Sequence, residues 1–276
     1  MSSAPSSFYV LGDAGDAGGS TSSSTVTATR HTAGPWSPAA QHGGPPMALM
    51  AREAARLGDG TRVVARVTCD LLGPVPVGRL HVEARVARPG RTVELVEVAL
   101  TDVDTGRQVA RAALWLVPRE VTGPVTPLPQ PPAGPLEGRE QPVPPGWHRG
   151  YLDAIEWRWV AGSLAEPGPA TVWMRPRLGL LPGEPLSPVE RLLTCVDSAS
   201  GAGAALAKDE WQFMNTELTA HVVREPVGEW VCLQAQTTVA GGAAGLARAE
   251  VFDERGFVAH SAQSLLVRPA TQPTPS

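Results

Sequence analysis

Lysine is almost absent: Lys208 is the only one in 276 residues, and nearly all the positive charge is arginine. That bias reflects genome composition more than function. Against 23 basic residues stand 27 acidic ones, a net charge of −4, so no broad basic surface offers itself to nucleic acid or to an anionic membrane. Cysteine is scarce as well. Cys69, Cys195 and Cys232 are odd in number and far apart, which excludes a disulfide framework and a C-x-x-C zinc or redox site. The opening residues MSSAPSSFYVLGDAGDAGGSTSSS lack the basic start and the apolar run of ~7–15 residues of a secretion signal, and no apolar stretch of ~18 follows. A soluble, cytoplasmic protein is expected, with no membrane partner. Also missing are a G-x-S-x-G elbow, a P-loop, a G-x-G-x-x-G turn and an H-E-x-x-H helix, while the six histidines are scattered singly. Serine-hydrolase, nucleotide and metal chemistry thereby recede, and neither a metal nor a cofactor is expected.

What is present is an ordinary globular composition, 42% hydrophobic and 18% charged, in a chain long enough for two domains. Residues 118–146 contain ten prolines and almost no periodic apolar pattern, so they read as an extended, semi-rigid connector. The flanking segments, 1–117 and 147–276, are then candidate repeats. Arg79–Arg88 (RLHVEARVAR) alternates apolar and polar residues as a half-buried strand does, and Arg91–Leu100 and Gln108–Val117 continue an antiparallel meander. PVGEWVCLQAQTTV from Pro226 aligns with PVGRLHVEARVARP from Pro76, an offset of 150, and Gly245–Val267 then repeats the remaining two strands in order. Each unit carries one helix ahead of its meander. Gly43–Leu57, with Pro45 and Pro46 at its start, is apolar around most of its circumference and is expected to be wrapped. Ser187–Asp197 opens with a capping box, Ser187 and Glu190, and has Pro188 at its first position. Shorter strands precede the helices around Val26, Trp157 and Trp173. Two similar α+β units, each a sheet wrapped on its own helix, follow from these patterns.

Two polar residues intrude on apolar faces. Asp197 lies four residues beyond Leu193 and eight beyond Val189, so a continuing helix points it at the sheet, where a desolvated carboxylate is a stronger base. The alternative is that SASG ends the helix and Asp197 satisfies backbone donors at a turn. Gln263 aligns with Leu114 of the other unit, whose face is wholly apolar, so an amide replaces leucine in the interior. It either orients a water or a carbonyl beside Asp197 or is a structural amide. Aligning Pro188 with Pro46 sets Asp197 against Ala55, which implies one active site per chain, in the second unit. Asn215 and Thr216 offer further hydrogen bonds at the start of the next strand, though such a strand start is commonly plain surface. In the loop Gln41–Gly44, the helix N-terminus behind Gly43 and Gly44 could receive a carbonyl oxygen as it gains charge, and His42 could bind or catalyse. Helix-start glycines and single histidines are also common without a ligand.

GPWSPAAQHGGPPMALMARE in the first unit, with LLTCVDSASG, NTELTAHVVREPVGEW and VFDERGFVAHSAQSLLV in the second, resembles the acyl-CoA thioesterase II family of double-hotdog thioesterases. The resemblance covers most of the chain outside the connector and the serine-rich start. It implies an α+β double hotdog of the fatty-acid-metabolism kind. It also implies hydrolysis of an acyl-CoA or acyl-carrier thioester by a water that Asp, Thr and Gln activate, with no covalent acyl-enzyme. The family's aspartate falls on Asp197 and its glutamine on Gln263. Asn215 stands where the family has threonine, with Thr216 adjacent, and an amide cannot hydrogen-bond as a hydroxyl does. A homodimer is expected, because edge strands need cover. Two rivals stay open: a non-catalytic acyl or polyketide binder, and a hydratase or dehydratase of the same fold, which would need an Asp and His pair but lacks a G-D-x-N-P-x-H segment.

Overall fold

The computed structural model describes residues 7–119, 123, 126–131 and 133–270. Its strands are β1 (Tyr9–Gly18), β2 (Thr21–Ala28), β3 (Arg62–Leu71), β4 (Arg79–Arg88), β5 (Glu94–Asp102), β6 (Gln108–Pro118), β7 (Ile155–Ala161), β8 (Ala170–Pro176), β9 (Trp211–Val222), β10 (Val231–Val239), β11 (Ala244–Asp253) and β12 (Gly256–Pro269). The helices are α1 (Gly44–Ala55), α2 (Gly150–Ala154), α3 (Pro188–Val196) and α4 (Ala199–Ala202). All the strands join one antiparallel 12-stranded sheet in the order β1-β2-β4-β5-β6-β3-β9-β12-β11-β10-β8-β7. Read outward from the β3–β9 junction, the order is the same in both directions: the repeat seen in the sequence is a structural repeat.

The meanders β4-β5-β6 and β10-β11-β12 form where the alternating pattern predicts them. β1 and β3 lie outside those meanders. After Tyr9, Val10 and Leu11, β1 is glycine, alanine and aspartate, and it forms because β2 supplies a partner ladder with two register shifts. A Cβ on Gly15 would press to 2.8 Å of the Ser23 carbonyl oxygen, so glycine permits that approach. β3 sits in the middle of the sheet; its residues 66–71 alternate polar and apolar, with Val67 and Cys69 buried, but a bulge between Val64 and Arg66 breaks the pattern before them. It pairs with β9 in register from Arg66↔His221 to Asp70↔Glu217, with the Thr68 and Thr219 hydroxyls meeting at the centre of the pairing.

The sheet curls around two helices that pack on each other, α1 against β2, β4, β5 and β6, and α3 against β8 and β10. α1 is buried from Gly44 to Ala51, as its all-round apolar pattern requires. α3 starts with the expected capping box, the Ser187 N–H donating to Glu190 Oε2 at 2.9 Å. Both helices and both halves of the sheet share one continuous apolar core. The Pro-rich connector is pinned against the opposite face of the second half: Trp173 Nε1 donates to the Ala133 carbonyl at 2.9 Å and the Phe257 N–H to that of Pro129 at 3.0 Å, over a small cluster of Trp173, Cys232 and Phe252. All three cysteines are free and buried. Among the described residues no helix is long and apolar enough to cross a membrane, and no three His, Cys, Asp or Glu gather as a metal set.

The polar break in α1 differs from expectation. Glu53 is fully buried and accepts hydrogen bonds from the Ser22 and Ser24 hydroxyls and from Arg56, the last at 2.8 Å. Counted from the two N-caps, Gly43 and Ser187, Glu53 rather than Ala55 matches Asp197. The first unit therefore does hold an acid, but one whose oxygens are taken. Glu53→Ala leaves two buried hydroxyls and a half-buried guanidinium without their acceptor and should lower stability by about 2–4 kcal/mol. Denaturant unfolding measures this; an unchanged midpoint would show that the cluster is not needed.

Candidate active site

A cavity of about 740 Å3 opens between the halves, with Gly34–Trp36, Gln41–Gly43 and Leu71–Val75 on one side and Asp197–Gly201 and Trp211–Thr216 on the other. Its polar centre is Asp197, which is 5% exposed. α3 ends at Val196, but Asp197 keeps helical dihedrals (φ −62°, ψ −20°) as its C-cap, and α4 begins at Ala199. The carboxylate therefore sits at the joint of two short helices, facing the cavity.

Its two oxygens have different surroundings. Oδ1 accepts from Asn215 Nδ2 at 2.6 Å and from Gln263 Nε2 at 3.1 Å. Gln263 is fully buried; its Nε2 also donates to the Asp197 carbonyl at 3.2 Å, and its Oε1 accepts the Ser200 N–H at 3.1 Å, which fixes which way the amide points. Oδ2 lies 3.2 Å from His42 Nδ1 and against Gly43, where a Cβ would come within 2.8 Å of it. His42 Nδ1 also accepts the Gly44 N–H at 3.2 Å, which places the imidazole proton on Nε2. Burial lowers the His42 pKa from its ordinary value, more than the Asp197 charge raises it, so the ring is neutral at pH 7.

The support for this arrangement comes from places the sequence patterns did not single out. His42 stacks on Tyr151 with centroids 3.7 Å apart and planes 4° from parallel, and the Tyr151 hydroxyl donates to the Thr194 carbonyl at 2.7 Å. Tyr9 on β1 donates to Gln41 Oε1 at 2.7 Å, and Gln41 Nε2 to the Pro76 carbonyl at 2.7 Å, holding the loop before α1. Gly44 has no room for a Cβ beside the Thr194 carbonyl, so this glycine serves the approach of α1 to α3. Its N–H is already taken by His42, whereas the Gly43 N–H has no acceptor among the described residues.

Asn215 and Thr216 separate at a β-bulge. Glu217 pairs with Ser264 and Asn215 with Leu265, so Thr216 is the extra residue, exposed, its hydroxyl donating to the Ser264 carbonyl at 3.0 Å rather than reaching Asp197. The first half has the same bulge between Val64 and Arg66, and strand pairing places Gln263 opposite Leu218 as it places Leu114 opposite Val67. Gln263 is thus the counterpart of Leu114, and Asn215 that of Val64. The amide donors sit in the second unit, while the imidazole that faces the acid comes from the first.

Residues 32–117 match the family of acyl-CoA thioesterase N-terminal domains, and residues 130–267 match the corresponding C-terminal domains. The chain belongs to the acyl-CoA thioesterase family. It is accordingly a thioester hydrolase with acyl-CoA thioesterase activity. Among solved structures it is similar to a Thermobifida fusca protein assigned as thioesterase II (20% identity, TM-score 0.76, 97% of this chain and 99% of that one). It also resembles a hot-dog-fold protein of Alicyclobacillus acidocaldarius (15%, 0.71, 95% and 97%). A third likeness is to acyl-CoA thioesterase II TesB2 of Mycobacterium marinum (16%, 0.65, 95% and 97%). At these identities the likenesses show the fold, an α+β hotdog. No curated protein matches the sequence.

The neutral, buried His42 of this thioesterase has a consequence for stability. Its folded pKa lies below the ordinary imidazole value, so the unfolded chain binds the proton more readily and folding should weaken as pH falls through the mid-6 range. A melting temperature that declines between pH 7 and 5, with a flatter profile in His42→Gln, is expected; identical profiles would contradict the assigned protonation.

Proposed function

We propose that this thioesterase is a double hotdog with one active site per chain, in which water attacks the acyl thioester directly and no acyl-enzyme forms. The support is the asymmetry of the Asp197 carboxylate: Oδ1 is held by two amides while Oδ2 is left beside the cavity and His42. A water on Oδ2 loses its proton to Asp197 as its oxygen bonds to the acyl carbon. The carbonyl oxygen gains charge beside the Gly43 N–H. The C–S bond then breaks, the thiolate takes the proton back, and the free acid leaves. Asn215, in place of a hydroxyl, holds the carboxylate by donating to it, and a donor amide suffices for that. Walls of Leu71, Leu72, Val75, Phe213 and Met214 suit an acyl chain, on CoA or on a carrier protein. β1 and β7 end the sheet, and pairing of a second copy along such an edge would give the homodimer.

Asp197→Asn keeps the size and the hydrogen-bonded position but cannot take the proton, so thiol release from acyl-CoA should fall by about 10²–10⁴-fold with the fold intact. A folded variant that releases thiol at the wild-type rate would sink the assignment. The Asp197–His42 contact is also the pair a hotdog hydratase would need. That reading requires enoyl-CoA to be hydrated without release of thiol, and a pure binder would take up acyl-CoA with neither.

A further inference from the structure

Among the described residues, the cavity is lined by two side chains with a formal charge, Asp197 and Lys208. Lys208 follows α4 and turns back toward it. Its ammonium donates to the carbonyls of Leu164 and Gly201, each at 2.8 Å, and lies 4.9 Å from the centre of the Trp147 ring. These contacts hold the side chain in one place on the wall. They do not neutralise it: no carboxylate among the described residues pairs with it, and one N–H has no acceptor. A half-buried ammonium without a counter-charge is costly, and here burial alone lowers its pKa to about 8. The Trp147 ring, whose centre lies 4.8 Å from that of the exposed Trp36 with the planes tilted by 58°, walls the same part of the cavity. The lone lysine of the chain is thus presented, unpaired, to whatever fills the site.

We infer that Lys208 is an anion-binding residue of this pocket, which takes a negatively charged group of the thioester substrate onto its free N–H beside Trp147. The inference rests on the thioesterase reading for its substrate. It does not rest on that reading for its chemistry, since the ammonium, the ring and the cavity are present whatever the reaction. Two parts of a substrate can bring the charge: a carboxylate at the far end of the acyl chain, or a phosphate of the thiol carrier. Both would replace the missing counter-ion with a charge-assisted hydrogen bond.

Four thioesters separate the sources: hexanoyl and adipoyl groups, each carried on CoA and on N-acetylcysteamine. In Lys208→Met, an acyl-borne anion raises KM by about tenfold or more for both adipoyl thioesters and leaves the hexanoyl ones alone. A carrier phosphate instead raises KM for both CoA thioesters and spares the N-acetylcysteamine ones. Lys208→Arg retains the preference in either case. An equal change across all four substrates, or none, overturns the inference, because a purely structural lysine has no reason to discriminate between them. If wild type releases thiol from none of the four, the hydrolytic reading fails. The inference is then judged by binding of CoA and of adipate, followed by tryptophan fluorescence: tenfold weaker binding of either in Lys208→Met supports it, and unaltered or absent binding of both overturns it. Should that variant fail to fold, the wild-type chain gives the answer. An amine-directed reagent can label Lys208 and no other lysine, so protection of that residue by CoA or adipate, read by mass spectrometry, supports the inference, and labelling at the same rate with and without them refutes it.

Discussion

The buried carboxylate of Asp197 is the constraint around which the two halves are arranged. A charge at this depth is tolerated only if every lone pair has a partner or a use. The second half supplies two amide donors to one oxygen, from adjacent strands β9 and β12. The first half supplies His42 and the bare backbone of Gly43 to the other. Without the first half the acid keeps its amides but loses His42. The continuous sheet through β3 and β9 is what keeps the two sets in register.

Duplication explains both the architecture and its division of labour. Glu53 and Asp197 occupy like positions after their N-caps, but Glu53 is enclosed by Ser22, Ser24 and Arg56 and turned to stability, while Asp197 opens on a cavity. Leu114 and Val64 fill with hydrocarbon the places where Gln263 and Asn215 put amides. With apolar side chains at both places, the twin offers the cavity its loop at the head of α1 and walls such as Trp36 and Leu71. That loop carries the imidazole and needs glycine at two successive positions, because a Cβ on Gly43 would meet the Asp197 carboxylate and one on Gly44 the Thr194 carbonyl of α3.

Periodicity made much of this legible. α1, α3 and the two meanders follow from apolar spacing and capping residues, and comparison of the repeats sets Gln263 against Leu114, whereas its match of Asp197 to Ala55 missed the acid Glu53. β1 escaped because the glycine, alanine and aspartate that fill most of it hold a strand only when a neighbour offers the ladder, and β3 because a bulge leaves only its residues 66–71 in alternation. The Pro118–Gly146 connector read as a spacer, yet Ala133 and Pro129 dock it on the second half by backbone carbonyls, which no side-chain pattern announces. Tyr151, stacked on His42, and Lys208, whose lack of a counter-charge is visible only in three dimensions, were likewise silent. Asn215 against Thr216 was open in sequence because a bulge decides it.

The mechanism turns on whether Asp197 takes a proton or takes the acyl group. Intact-mass measurement of the enzyme acid-quenched during turnover of an acyl-CoA decides directly. Proton transfer leaves the chain at its unmodified mass at every time point while free thiol and acid accumulate together. A transient adduct of one acyl group, mapped to the peptide containing Asp197, would make the carboxylate a nucleophile and contradict direct attack by water.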